Sequence, residues 1–157
     1  MTLTIRDAAL TDLPIVVRYN CELALETEQK QLNIEVLSRG VTRALTDPDR
    51  LRYWVAVADD DEVVGQAAIT REWSDWRCGW IWWFQSVFVA REYRGQGVFR
   101  ALYTHIRTVA QSKNDVIGLR LYVEEENRRA QSTYLAMGMV PGGYHVYEEL
   151  WRERFGA

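Results

Sequence analysis

The stretch Val87-Phe88-Val89-Ala90-Arg91-Glu92-Tyr93-Arg94-Gly95-Gln96-Gly97-Val98-Phe99 constrains this chain more than any other. An apolar strand runs into a short basic loop with two glycines, and the loop opens a helix. Such a turn presents backbone N–H groups to an anion, because the first-turn donors of a helix have no partner inside it. The helix dipole adds partial positive charge at the same end. Gly95 and Gly97 let the main chain approach a bulky phosphate with no Cβ in the way, and Arg94 adds charge.

A chain of 157 residues, 48% of them hydrophobic, is expected to form a single domain over 1–157 with a full core. A net charge of −3 argues against a general nucleic-acid binder. No apolar run reaches membrane-spanning length, since the longest, around Trp80 to Val89, is broken by Gln85 and Ser86. Met1 to Arg6 reads as a strand and not as a targeting signal. Cys21 and Cys78 lie far apart without paired spacing. A disulfide framework or a metal site is therefore not expected, and the plain reading is two reduced thiols in a cytoplasmic protein. The chain also lacks the Gly-Lys-Ser/Thr loop of a nucleotide hydrolase.

Periodicity orders the elements. Leu3 to Arg6 alternates as a strand, and Thr11 is the expected N-cap of a helix with Pro14 in its first turn, running to about Thr27. A second helix starts near Asn33, turns Val36, Leu37, Val41, Ala44 and Leu45 inward, and stops at Pro48. Strands follow over Tyr53 to Ala58 and Val63 to Trp73, joined through Asp59-Asp60-Asp61-Glu62, and then a long one over Trp80 to Val89. Gly97 to Gln111 is an amphipathic helix and Ile117 to Val123 a buried strand. Asn127 caps a helix that runs through Met137 to Gly138, and Met139 to Leu150 reads as a last strand or hairpin. The order β-α-α-β-β-β-α-β-α-β implies an α/β (α+β) fold: one mixed, mostly antiparallel sheet flanked by helices.

These residues resemble the GNAT superfamily of N-acetyltransferases. Arg94, Gly97 and Phe99 fall on the fixed positions of its R/Q-x-x-G-x-G/A cofactor loop. Leu121-Tyr122-Val123, then Asn127, Ala130, Tyr134 and Gly138, match its second signature, N-x-x-A-x-x-x-Y-x-x-x-G, and the element order agrees along essentially the whole chain. Phe99 departs from the usual Gly or Ala, so its ring is expected to point away from the ligand.

The resemblance implies acetyl transfer from acetyl-CoA to a primary amine of a small molecule or peptide, with no metal. It implies that Val87, Phe88 and Val89 bind the pantetheine arm and thioester through the main chain, beside a bulge near Gln85 or Ser86 that parts the neighbouring strand. Arg94, Gly95, Gln96, Gly97, Val98 and Phe99 cradle the pyrophosphate. Asn127 caps its helix and contacts the arm. Tyr134 is the expected catalytic residue, a general acid for the thiolate, set against a plain reading as a packed core tyrosine. No general base is evident, because Gln85 and Ser86 stand where many relatives carry Glu. Glu26, Glu28, Glu72 and, less so, His145 are candidates, more readily substrate-facing or surface groups than bases, with a water chain as the alternative. Trp73, Trp76, Trp80, Trp82 and Trp83 crowd one hairpin. They read as core, as an interface for a homodimer, or as an acceptor wall in which Trp73 and nearby carboxylates, Asp75 among them, hold a cationic amine. The reading from another class is a catalytically idle acyl-CoA-binding sensor.

Overall fold

The computed structural model describes residues 1–151. Its elements are β1 (Thr4–Asp7), α1 (Leu13–Glu28), α2 (Ile34–Thr46), β2 (Arg52–Val57), β3 (Val63–Ser74), β4 (Gly79–Val89), α3 (Val98–Gln111), β5 (Val116–Leu121) and α4 (Arg128–Ala136). The five strands form one sheet in the order β1-β2-β3-β4-β5. Every neighbouring pair is antiparallel except β4 and β5, which run parallel and are connected through α3. The expected mixed, mostly antiparallel sheet is therefore present. The chain divides into two compact units, Met1–Leu121 and Tyr122 onward. The first holds the whole sheet with α1 to α3, and the second holds α4.

Alternation along the strands sorts the first unit into two layers. On one face Tyr53 and Ala68 meet Val16 of α1 with Val41 and Ala44 of α2, and the Tyr19 ring lies 4.9 Å from Phe88. On the other face Phe84 stacks on Tyr103 of α3 at 5.4 Å, and Trp54 meets Trp82 at 6.2 Å. Gly65 seats α3, since a Cβ there would come within 2.9 Å of Val98 Cγ1.

Two expectations are corrected. Thr11 caps nothing; α1 begins at Leu13 after a 3-10 turn over Leu10–Asp12. Asp12 closes that turn instead, its carboxylate accepting from Ala9 N–H at 2.7 Å and from both Arg6 amino groups at 2.8 and 2.9 Å. The last strand, Met139 to Leu150, does not form, and residues 139–151 are neither strand nor helix. Pro141 has no N–H to lend a ladder, and Gly143 at φ +78 interrupts an extended run. Asn33 does cap α2, accepting from Val36 N–H at 3.1 Å. Among the described residues no helix is long and apolar enough to cross a membrane.

Candidate active site

The β3–β4 ladder slips once. Gln66 faces Phe88 and Ala68 faces Gln85, so Ser86 and Val87 share the place opposite Ala67. Ser86 turns through φ +51, a left-handed conformation that a side chain resists. The bulge thus lies where the sequence reading put it. Pairing of β4 with β5 ends at Phe84 opposite Leu121. Beyond that point, among the described residues, β4 is laddered to β3 alone. Ala90 N–H donates to Val64 O at 2.9 Å, and alternation therefore turns the main-chain groups of Val87 and Val89 toward the edge away from β3. Phe88, between them, is buried in the core.

Beyond the strand, Arg91–Tyr93 makes a 3-10 turn and Gly95 and Gly97 follow at φ +76 and +84. A Cβ added at either glycine would meet nothing within 4 Å. The glycines therefore serve the left-handed backbone and leave open space beside it. The first bond inside α3 runs from Ala101 N–H to Gly97 O at 2.9 Å, so the N–H groups of its first turn stand ahead of the helical ladder. Gln96 braces the loop by donating to Glu92 O at 2.8 Å. The Phe99 ring lies 6.0 Å from Tyr103, one turn along α3.

Arg94 is held from several sides. Its Nε donates to Val89 O at 2.9 Å, its Nη2 to Glu26 Oε2 at 2.8 Å, and its guanidinium sits 5.3 Å from the Phe88 ring. Arg91 donates to the other Glu26 oxygen at 2.8 Å. Partial burial acts to raise the Glu26 carboxyl, but the bonds from Arg91 and Arg94 outweigh it and hold it below the usual carboxylate range. Glu26 is thus an ionised bridge from α1 to the loop, and a weaker proton acceptor than an ordinary carboxylate.

The remaining acceptor-side candidates separate. Glu28 is the exposed last residue of α1. Glu72 accepts from Arg120 at 2.8 Å, and Arg120 lies 5.9 Å from the Trp83 ring on the same face of the sheet as α1 and α2. Trp73, the next residue along β3, points to the opposite face and packs edge-on against Trp80 at 5.0 Å. Glu72 and Trp73 therefore share no surface. Gln85 donates to Thr70 Oγ1 at 2.9 Å. Asp75 and His145 are exposed.

Sequence reasoning passed over Gln66 and Arg91. The signal for Gln66 is a lone polar side chain inside Val63-Val64-Gly65-Gln66-Ala67-Ala68-Ile69; for Arg91 no local signal exists, because its partner is 65 residues away. In the second unit Asn127 caps α4 by accepting from Ala130 N–H at 3.1 Å. Tyr134 is half-buried, and burial pushes its phenol above the ordinary tyrosine value. Among the described residues no cluster of three or more His, Cys, Asp or Glu could hold a metal ion.

Comparison with known proteins adds the following. The family model described as acetyltransferase (GNAT) family matches residues 17–139. The peptidyl-lysine N-acetyltransferase YjaB of Salmonella typhimurium strain LT2 is 33% identical over 97 residues, 62% of this chain and 56% of that protein. The chain thus spans about half the length of that curated relative. A possible acetyltransferase from Clostridium difficile 630 superimposes with a TM-score of 0.87 at 40% identity, covering 96% of this chain and 98% of that one. A predicted acetyltransferase from Clostridium acetobutylicum, determined with acetyl-CoA, shares the fold at 17% identity, with a TM-score of 0.74 over 98% of both chains.

Proposed function

The chain belongs to the acetyltransferase (GNAT) family, and on that premise we propose that it moves an acetyl group from acetyl-CoA to a primary amine in a ternary complex. The observation that carries this reading is one pairing in the first unit. An open, left-handed glycine loop leads into the first turn of α3, beside the stretch of β4 that runs on past its pairing with β5. The loop fits a diphosphate. The edge fits an extended arm that carries amides.

Bound acetyl-CoA supplies an acetyl group activated as a thioester. The chain holds it and moves protons. Gly95, Gln96, Gly97, Val98 and Phe99 offer main-chain donors to the diphosphate, and Arg94, already oriented by Glu26 and Val89, adds charge. Val87 and Val89 align the arm, and a main-chain N–H there polarises the thioester carbonyl. As the C–N bond forms and the C–S bond breaks, the amine loses a proton and the sulfur gains one. Tyr134 holds the proton for the sulfur, and its raised phenol value keeps that proton in place at neutral pH. The amine proton leaves through water, because Gln85 has no basic atom, Glu72 is paired with Arg120, and Glu26 is paired with Arg91 and Arg94.

The activity of the Salmonella relative makes a peptidyl-lysine ε-amine the first acceptor to test, with small amines beside it. Titration calorimetry with acetyl-CoA should give a saturable heat, and acceptor-dependent CoA release should follow from one of these amines. No heat with any coenzyme A species overturns the reading. Heat without turnover on any amine favours the idle acyl-CoA-binding module, for which Gln85 in place of an acidic side chain is the supporting observation.

A further inference from the structure

Gln66 is the odd residue of the core. It is 0% exposed on β3, within a run of small apolar side chains. Its Nε2 donates to Ser86 O at 3.0 Å and to Asn20 Oδ1 at 3.3 Å, and Asn20 Nδ2 donates in turn to Tyr53 OH at 3.1 Å. Asn20 and Tyr53 are also buried. The chain of bonds starts on β2, passes through α1 and β3, and ends on the carbonyl of the one β4 residue held at φ +51. Gln66 Oε1 has no partner. A buried amide with an unsatisfied oxygen is a net cost that methionine, of similar length, would avoid. Core packing therefore does not explain the glutamine, whereas the bond to Ser86 does.

We propose that Gln66 is a positioning residue for the acyl-donor site: by gripping the Ser86 carbonyl it holds the β4 bulge, and so fixes the direction of the Val87 and Val89 main-chain edge. The inference rests on the acetyl-CoA reading above and names the part that sets up its thioester-binding edge. Two features make the bulge dependent on an outside grip. Ser86 carries a Cβ into a region that favours glycine. Laddering to β5 has already stopped at Phe84, so among the described residues β3 is the one strand that pairs with this part of β4.

The test separates the arm of the ligand from its nucleotide end. Wild type, Gln66→Met and Gln66→Met/Ser86→Gly are titrated with acetyl-CoA and with 3′-phosphoadenosine 5′-diphosphate, which has the diphosphate but no pantetheine. Gln66→Met should bind the nucleotide as wild type does, and acetyl-CoA about tenfold more weakly. The double variant should recover most of that loss, because glycine takes the left-handed turn without a grip. Amide hydrogen exchange at Ala90, whose N–H donates to Val64 O, should quicken in Gln66→Met and slow again in the double variant. Equal losses for both ligands, no loss for either, or no recovery in the double variant overturns the role of Gln66. If Gln66→Met fails to fold, Gln66→Asn, whose shorter side chain draws the amide away from Ser86 O, is read by the same criteria. Wild-type protein that binds neither ligand overturns the coenzyme A reading itself, a result distinct from all of these.

Discussion

At Asp12, one carboxylate is nearly buried, closes a 3-10 turn through Ala9 N–H, and receives a fork of bonds from Arg6. The Arg6 hydrogen bond is the main reason its carboxyl is held below the usual aspartate value, against the opposing effect of burial. Asp12→Asn should therefore destabilise the protein by about 1–3 kcal/mol near neutral pH. Half-exposure of Arg6 argues for the lower end of that range. The sign of the pH dependence follows from the lowered folded value. The stabilisation is complete above the unfolded aspartate pKa and disappears as pH falls through the folded one. Urea unfolding at neutral and at acid pH should show the wild-type advantage shrinking as the pH drops. Tyr134 gives a second residue-scale outcome. Tyr134→Phe should lower kcat about a hundredfold while leaving the KM for acetyl-CoA nearly unchanged, and steady-state kinetics read this directly. Residues whose role is local were legible in the sequence. Asn33 and Asn127 act on N–H groups three positions ahead, and Gly95 and Gly97 act through their own backbone. Glu26 was legible only as a charge, since its two arginines lie 65 and 68 residues away.

The seating of α3 on the sheet is decided at Gly65. A methyl group there would stand 2.9 Å from Val98 Cγ1 and 3.2 Å from Phe88 O. Gly65→Ala should cost about 1–3 kcal/mol through overpacking. It should also weaken acetyl-CoA binding, because Val98 belongs to the proposed cradle. Differential scanning calorimetry and titration on the same sample check both. At this scale the sequence legibly carried the amphipathic elements. Of the stripe that the spacing predicts, Val98, Leu102 and Ile106 are buried and Val109 is half-buried, and β2 to β5 fall within a residue or two of their expected places. It misled where a pattern needed a partner that local residues cannot specify. Met139 to Leu150 alternates enough to suggest a strand, yet strand formation needs a ladder, and the Pro141-Gly142-Gly143 break withholds one. The tryptophan hairpin was legible in its alternation: the pleat sends Trp80 and Trp82 to one face and Trp83 to the other, as the period of a strand predicts.

For the molecule as a whole, the sheet divides the chemistry. The face under α1 and α2 carries Gln66, Phe88, Trp83, Glu72 and Arg120, whereas the α3 face carries Trp54, Trp73, Trp80 and Trp82. Family and sheet class were legible from two short signatures and the order of elements. The acceptor was not, because the candidate residues Glu26, Glu28, Glu72 and Trp73 are divided between α1 and β3 and obey no common spacing. Ligand linkage gives the outcome at this scale. At a hundredfold excess over its dissociation constant, acetyl-CoA should stabilise the protein by about 2.7 kcal/mol. Thermal melts should shift upward with ligand concentration, and the Gly65→Ala protein should show a smaller shift.

On the proposed reading, ligand recognition falls to the edge formed by Val87 and Val89, which is made of atoms that every amino acid but proline possesses. Alanine scanning across residues 87–89 is consequently blind to it, and would report only lost packing beneath Phe88. A change of side chain leaves the recognition groups in place, so this strand can vary in sequence while its ligand stays the same. Only chemistry that deletes an amide hydrogen, such as proline or a backbone ester at Val89, can silence it.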